Sequence, residues 1–206
     1  MKKTFIITLS LLVSTSISLY SQYTFQKTIS NPDDQKINCV TEDDGGNFIM
    51  VGYKTSLELN KTQAYLIRLD PLGELLDEMV LDTAQGYSMF FNVFFFNDSL
   101  FLLGSRRIDA LTAKLLYLKL DKDLVIIDEK NLGIPSDRWF AYMNSIIDSD
   151  SNFAITGYTT RYDTVSPYNN DVFFYKLSLA GDSINSKYIT SNYNLSMSFD
   201  IMEKSD

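Results

Sequence analysis

Residues 47–52 read NFIMVG, and two later stretches of the chain repeat this pattern. SLFLLG ends at Gly104 and NFAITG ends at Gly157, so the three terminal glycines are 52 and 53 residues apart. A repeat of this length built from short strands is typical of a stacked array, most often of β-propeller blades. An asparagine also lies ahead of each run, at Asn38, Asn92 and Asn144.

Each period contains four apolar segments separated by turn residues. Sequences such as DDGG at 43–46 and DPLG at 70–73 favour tight antiparallel hairpins. The second and third segments are apolar on both faces and need cover on both sides, whereas the fourth is more polar, as expected of an outer edge. We therefore predict an all-β, β-propeller-like fold with three four-stranded antiparallel blades plus the first strand of a fourth.

The predicted domain, an incomplete β-propeller, covers residues 22–206. Its repeats lie at about 36–82, 89–131 and 140–190, and a fourth begins at 197. Because a closed propeller needs about four or more blades, this pattern fits the amino-terminal fragment of a longer protein. A naturally short protein that closes by oligomerisation is the alternative.

The first residues have the layout of a secretory signal peptide. Lys2 and Lys3 precede an apolar stretch from Phe5 to Leu19, which is short and rich in serine for a membrane span. We predict a signal peptide over residues 1–21, with cleavage near Ser21, and a mature chain that is secreted or associated with the outer surface. An amino-terminal membrane anchor is the alternative, and we expect no span in the mature chain.

Composition removes several classes of function. The net charge of −8 gives no attraction to nucleic acid or anionic lipid. The chain has no histidine, which excludes Ser-His-Asp and Cys-His nucleophile systems and the usual histidine metal sites. Cys39 stands alone and suits a small core residue. We expect no cofactor and no nucleic-acid partner.

Two stretches resemble a known kind of repeat. Residues 25–55, FQKTISNPDDQKINCVTEDDGGNFIMVGYKT, and 64–74, AYLIRLDPLGE, are similar to propeller-type repeats of exported proteins from Bacteroidetes-group bacteria. The resemblance covers about residues 23–206 and implies architecture and bacterial origin, but little about function, because its motif positions are turn and core positions. The second unit departs from it: Leu124 stands where the turn glycine is expected, and the first turn has Asn97 and its neighbours in place of glycines.

In a propeller, the loops between second and third strands open on the same side as the connections between blades. The irregular segments of this chain would lie there, and they carry aromatic and arginine residues of the kind that recognition surfaces use. The candidate binding residues are Trp139, Arg138, Arg161, Tyr162 and Tyr168, with Asp163 and Tyr87 on the same side. Variable loops can also carry such residues by chance.

Asp148, Asp150 and Asn152 have the opening spacing of a calcium loop, but a solvated turn is the preferred interpretation, and we predict no metal site. The leading functional hypothesis is an exported, non-catalytic propeller module that binds a protein or glycan at the cell surface or outside it. A fragment of a carbohydrate-active propeller enzyme and a structural spacer are the alternatives, so enzymatic activity is uncertain and less favoured.

Overall fold

A computed structural model of the protein describes residues 33–56, 61–81, 86–109, 112–133, 138–161, 169–189 and 201–202. Within these ranges the chain forms twelve β-strands and no helix. The predicted signal peptide, residues 1–21, lies outside the described residues, as does the fourth repeat apart from Ile201 and Met202. No described segment is a helix with the length and hydropathy that crossing a membrane would require.

The strands form three antiparallel sheets of four, and within each sheet the spatial order follows the chain. The first sheet contains β1 (Asp34–Glu42), β2 (Phe48–Ser56), β3 (Lys61–Leu69) and β4 (Leu75–Leu81). The second contains β5 (Ser88–Phe96), β6 (Ser99–Arg107), β7 (Ala113–Asp121) and β8 (Ile126–Leu132). The third contains β9 (Arg138–Ile147), β10 (Asn152–Arg161), β11 (Asn169–Ser178) and β12 (Ser183–Ile189).

The prediction of an all-β fold with repeated four-stranded antiparallel units is confirmed. Gly52, Gly104 and Gly157 lie in β2, β6 and β10, which are the second strands of their sheets. In register they lie opposite Tyr65, Leu116 and Phe173 of the third strands. The three glycines are therefore equivalent, as their spacing predicts.

A close backbone approach explains two of these glycines. A Cβ atom on Gly52 would lie 1.8 Å from the carbonyl oxygen of Lys36, and one on Gly104 would lie 2.1 Å from that of Met89. In both sheets the register of the first strand shifts directly beside this point. Such a bulge brings the backbone of the first strand onto the second, and only glycine leaves room for it.

Five of the described hairpin turns share one geometry. In each, the fourth residue donates its N–H to the carbonyl of the first and has a positive φ, as in a type I turn followed by a left-handed residue. An aspartate such as Asp70 fixes the turn further by accepting the N–H groups of Leu72 and Glu74. The left-handed residues are Gly46, Gly73, Leu124, Ser151 and Gly181.

The turn between β5 and β6 is different. It is a two-residue connection in which Asn97 and Asp98 both have positive φ, of 50° and 54°. This is the type I′ geometry that suits short hairpins, and asparagine and aspartate tolerate it. The departure that the sequence shows in the second unit therefore replaces one hairpin turn with another.

Consecutive sheets pack face to face. We call the side of a sheet that packs on the following sheet its forward face, and the opposite side its rear face. At the first interface, the forward face of the first sheet packs on the rear face of the second, burying Ile49, Val51, Ala64 and Leu66 against Leu100, Leu102, Leu116, Leu118 and Leu120. At the second interface, Phe101, Leu103, Leu115 and Tyr117 pack against Phe153, Ile155, Phe173, Tyr175 and Leu177.

Polar contacts join the sheets as well. The Asn38 side-chain amide donates to the Phe90 carbonyl at 2.7 Å, and that of Asn92 donates to Asn144 Oδ1 at 3.4 Å. These hydrogen bonds link the first strands of consecutive sheets, β1 to β5 and β5 to β9. Burial raises the pKa of Tyr117 to about 12, so its hydroxyl remains protonated and donates to the Leu179 carbonyl at 2.6 Å.

Candidate functional site

The two ends of the sheets differ in their connections. The turn end carries the hairpins that join first to second and third to fourth strands. The loop end carries the connections between second and third strands and those between sheets. Long connections held by a rigid scaffold are where binding residues usually lie, and the predicted binding side of the chain corresponds to this loop end.

At the loop end, three described side chains, one from each sheet, lie near a fourth, Tyr87. Tyr53 lies near the end of β2, Arg107 ends β6, Tyr158 lies near the end of β10, and Tyr87 immediately precedes β5. Tyr53, Arg107 and Tyr158 are all close enough to act electrostatically on the hydroxyl of Tyr87. We call these four residues the tyrosine–arginine cluster. All four are partly exposed, so a ligand can reach them.

Hydrogen bonds on both sides hold Tyr87 in place. Its own carbonyl accepts the N–H of Arg107 at 2.9 Å, and the preceding carbonyl, of Gly86, accepts the N–H of Thr62 at 2.8 Å. The Ser88 hydroxyl that follows accepts the N–H of Ala64 at 2.9 Å. Tyr87 is therefore anchored to both the first and the second sheet, and its position is largely fixed before any ligand binds.

Arg107 lies over the ring of Tyr87. Its guanidinium carbon is 5.6 Å from the ring centroid, a cation–π distance. The Tyr87 hydroxyl donates to the thioether sulfur of Met89 at 3.8 Å. An arginine stacked on an anchored aromatic ring combines a broad apolar surface with fixed hydrogen-bond donors, a pairing that is frequent at recognition sites.

The electrostatics of Tyr87 favour binding rather than acid–base chemistry. Burial raises the pKa of its hydroxyl above the ordinary value of 10.0, the nearby Tyr53 and Tyr158 raise it further, and Arg107 opposes them. The phenol is thus neutral at physiological pH, and its oxygen can accept a hydrogen bond from a ligand while its O–H donates to Met89. A general base would need a pKa nearer the working pH.

Three of the predicted site residues lie in strands rather than in loops. Arg138 and Trp139 begin β9, where they lie opposite Arg161 and Thr160 at the end of β10. This part of the backbone is at the loop end, the side on which the sequence places these residues. Tyr162 and Tyr168, together with Asp163, lie outside the described residues.

Sequence reasoning placed Tyr87 on this side but missed Tyr53, Tyr158 and Arg107. A signal for two of them was present, because Tyr53 and Tyr158 directly follow the repeated glycines Gly52 and Gly157. Residues at one position of a repeat lie at the same level of successive sheets, so a repeated tyrosine there indicates a shared surface.

The aspartates of the calcium-like spacing have a structural role. Lys176 Nζ lies 2.7 Å from Asp148 Oδ2 and 3.4 Å from Asp150 Oδ2, so a cationic side chain neutralises both carboxylates. Asp148 Oδ1 also accepts the N–H groups of Asp150 and Asn152, which closes the turn. Among the described residues, no group of three or more acidic or cysteine side chains could hold a metal ion.

The first sheet repeats this arrangement, with Arg68 2.9 Å from Asp43 Oδ2. Burial by itself would raise the pKa of Asp43, but hydrogen bonds from Asn47, Arg68 and Gly45 outweigh it, and the pKa lies below its ordinary value. In the second sheet the shorter turn lacks this aspartate, and the equivalent Lys119 lies over the ring of Phe101 at 5.3 Å. The turn end therefore uses its charges to fix hairpins.

No protein-family model matches this chain, and no curated protein matches it significantly. A function for this chain is therefore inferred from the loop end and its tyrosine–arginine cluster.

Proposed function

We propose that this protein is an exported, non-catalytic module of the β-propeller type that binds a protein or glycan partner through its loop end. The observation that carries the proposal is the convergence of Tyr53, Tyr87, Arg107 and Tyr158 from three sheets on one partly exposed site. Tyrosine and arginine on a fixed scaffold supply large contact area at a low cost in conformational entropy.

The propeller arrangement has its own support. β5 packs against β1, β2 and β3 of the first sheet, and β9 packs in the same way against β5, β6 and β7 of the second. The asparagine contacts that join β1 to β5 and β5 to β9 suit first strands placed around a common axis. Repetition of one step between sheets is how a propeller grows.

Binding can be tested with matched variants. The purified chain would be applied to a glycan array and, separately, to immobilised surface and culture-medium proteins of the source bacterium. For the partner so found, we expect Tyr87→Ala and Arg107→Ala each to weaken binding by about 30-fold, equivalent to about 2 kcal/mol. Asp123→Ala, at the opposite turn end, is the control and should leave the Kd unchanged.

The predicted residues at this end extend the same test. Trp139→Ala and Tyr162→Ala should also weaken binding without unfolding the domain, as judged by far-UV circular dichroism. Loss of fold in Trp139→Ala would remove Trp139 from the site. Equal loss of affinity in Asp123→Ala would contradict the proposal that the loop end is the binding end.

Export has a separate measurement. If residues 1–21 are a signal peptide, mass spectrometry of the protein recovered outside the cytoplasm should find an amino terminus near Gln22. Recovery of the exported chain with Met1 intact would contradict this proposal. Neither result bears on which end of the domain binds a partner.

A further inference from the structure

The two ends of the sheets differ in charge. Each of the six hairpin turns at the turn end contains an acidic residue, and these turns contain one basic residue, Lys122. At the loop end, the last three residues of the second strands and the first three of the third strands contain one acidic residue, Asp171. The basic residues of these same segments are Lys54, Lys61, Arg106, Arg107, Lys114 and Arg161. In a chain with a net charge of −8, the loop end is therefore the less acidic end.

The charge within the tyrosine–arginine cluster is positive. Its three tyrosines are phenols, which carry no charge at neutral pH, so the formal charge of the cluster is that of the Arg107 guanidinium. A tyrosine elsewhere in the sheets has a different environment, since Asp128 and Asp182 are the charged groups that act on the hydroxyl of Tyr117. An anionic ligand is therefore repelled less at the cluster than near the acidic turns.

Arg107 is both positioned and accessible. Its N–H donates to the Tyr87 carbonyl at 2.9 Å, and its guanidinium carbon lies 5.6 Å from the centroid of the Tyr87 ring. The residue is partly exposed. A guanidinium presents its N–H donors in a planar fork that matches the two oxygens of a carboxylate. Arg107 thus offers an anionic group of a ligand a cation whose position is already set.

Two neighbouring cations have roles inside the protein. Lys54 Nζ lies 3.1 Å from Asp33 Oδ2, and Arg106 pairs with Glu129. Arg106 precedes Arg107 in β6, but successive side chains of a strand point to opposite faces of the sheet. Of these three cations, Arg107 is therefore the one that lies beside the tyrosine rings.

The tyrosines of the cluster cross three sheets. Tyr53 and Tyr158 directly follow repeated glycines, so they lie at the same level of the first and third sheets, and Tyr87 immediately precedes the second. Because packed sheets are about 10 Å apart, the row spans about 20 Å. All three residues are partly buried. A recessed row of aromatic rings suits an extended chain of sugar rings, whereas an ordinary protein interface needs about 800 Å² from each partner.

We propose that the ligand of the tyrosine–arginine cluster is a glycan that carries carboxylate groups, one of which the Arg107 guanidinium binds. This inference rests on the proposed binding function of the loop end and names the class of ligand that the site takes. The tyrosine rings pack on the apolar faces of the sugars, and the Tyr87 oxygen accepts a hydrogen bond from a sugar hydroxyl. An acidic protein would be a different class of partner, and its binding is one outcome of the test.

Isothermal titration calorimetry with matched ligands tests this proposal. The probes are oligosaccharides of galacturonate, guluronate and glucuronate, each measured beside its neutral, carboxyl-reduced form in about 150 mM salt, which screens distant charges. At least one uronate should bind. Its neutral form should bind about 30-fold more weakly, because it lacks the charged hydrogen bond to Arg107. Equal affinity for the two forms would overturn the proposal, as would failure of all three uronates to bind.

A charge-removing variant locates the carboxylate. Arg107→Gln should lose about 30-fold in affinity for the uronate and almost none for the neutral form, so the two changes should not be additive. Arg106→Gln removes an equal charge from the opposite face of β6 and is the matched control, with both Kd values unchanged. Circular dichroism checks that both variants fold. Additive losses, or an equal loss in Arg106→Gln, would contradict the assignment of Arg107.

The same measurements separate this inference from the proposed function. If Tyr87→Ala weakens binding of a protein or a neutral glycan and no uronate binds, the loop end is the binding end but its ligand is not an acidic glycan. If a uronate binds and neither Tyr87→Ala nor Arg107→Gln weakens it, both proposals are overturned, because the ligand then lies elsewhere on the molecule.

Discussion

The two interfaces between sheets are built from equivalent strand positions but have different side-chain chemistry. The first is largely aliphatic, with leucines from β6 and β7 packed on the first sheet. The second is aromatic, and Phe153 lies at its centre, with ring centroids 5.5 Å from Phe94 and Phe101 and 6.3 Å from Tyr117. Equivalent positions of the repeat therefore accept either residue class, as packed cores do when total volume is kept.

The interfaces also differ in how well they pair their polar atoms. Val93 and Ser145 lie opposite equivalent residues of the second strands, Leu102 and Ile155. Val93 joins the apolar cluster of the first interface, whereas the hydroxyl of Ser145 is buried with no hydrogen-bond partner. The Ser105 hydroxyl is also buried with no hydrogen-bond partner. The second interface thus buries two hydroxyls without partners, whereas at the first interface an unpaired buried atom is the Nε of Arg68.

We expect the largest loss of stability when an aromatic core residue of the second interface is truncated, and a smaller loss at the equivalent aliphatic residue of the first. Leu100 and Phe153 occupy equivalent positions, and both are 0 % exposed. Phe153→Ala should lower the free energy of unfolding by about 4 kcal/mol and Leu100→Ala by about 3 kcal/mol, since the larger side chain leaves the larger cavity. Urea unfolding followed by circular dichroism gives both values. Leu100→Ala proving the more damaging would mean that the aromatic interface is the weaker of the two.

A second substitution should disrupt the close approach of the first and second strands at the repeated glycine, which the first two sheets share. Gly104→Ala places a Cβ atom 2.1 Å from a backbone oxygen that cannot rotate away. We expect a loss of about 3 kcal/mol in the free energy of unfolding, since the two strands must move apart. Gly133→Ala is the control, because a Cβ atom there meets nothing within 4 Å. A stable Gly104→Ala protein would show that the bulge in β5 is easily displaced.

Acid should weaken the contact between the first sheet and the turn of the second. Asp43 holds Arg68, which donates to the Lys122 carbonyl across the first interface. Because the pKa of Asp43 lies below its ordinary value of 3.8 in the folded protein, its contribution to stability is present above that value and is lost as the pH falls through the folded pKa. Asp43→Asn should therefore lower the urea midpoint at neutral pH and lower it less at about pH 3. An equal effect at both values would contradict this role.

The smallest expected effect is a gain in stability. Ser145→Val would give the second interface the residue type that Val93 provides at the first. It removes a buried hydroxyl without a partner and adds apolar contact, so the free energy of unfolding should rise by about 1 kcal/mol. Ser149→Val, in an exposed turn, is the control and should bring no gain. A loss of stability in Ser145→Val would indicate that the two interfaces do not have the same space at this position.

Much of the fold could be predicted from the sequence because its signals are local. Turn residues at fixed spacing and the recurring glycine locate the hairpins and the second strands, and these features depend on the backbone of a few neighbouring residues. The start of β9 at Arg138 was harder to predict, because the sequence places the start of this strand at about residue 140. A strand can extend wherever a partner strand continues beside it, and that depends on pairing rather than on composition.

The site was only partly predictable. Aromatic residues in irregular segments pointed to the loop end of the sheets and included Tyr87. Tyr53 and Tyr158 lie inside strands, where aromatic side chains ordinarily belong to the core. Their approach to Tyr87 and Arg107 depends on how three sheets stack, and no local pattern in the sequence reports that geometry.

Strand order has a consequence for how the chain acquires its structure. Each of the twelve described strands pairs only with its neighbours along the chain, so a sheet can form as soon as its own four strands are available. As the polypeptide lengthens from its amino-terminal end, the forward face of the newest sheet is exposed until the next sheet covers it. Pairing of this local kind favours rapid, stepwise folding. If synthesis pauses between two repeats, the apolar face of the last complete sheet stays exposed and can associate with the wrong partner. The chain is therefore most prone to misassembly when synthesis has reached a boundary between repeats.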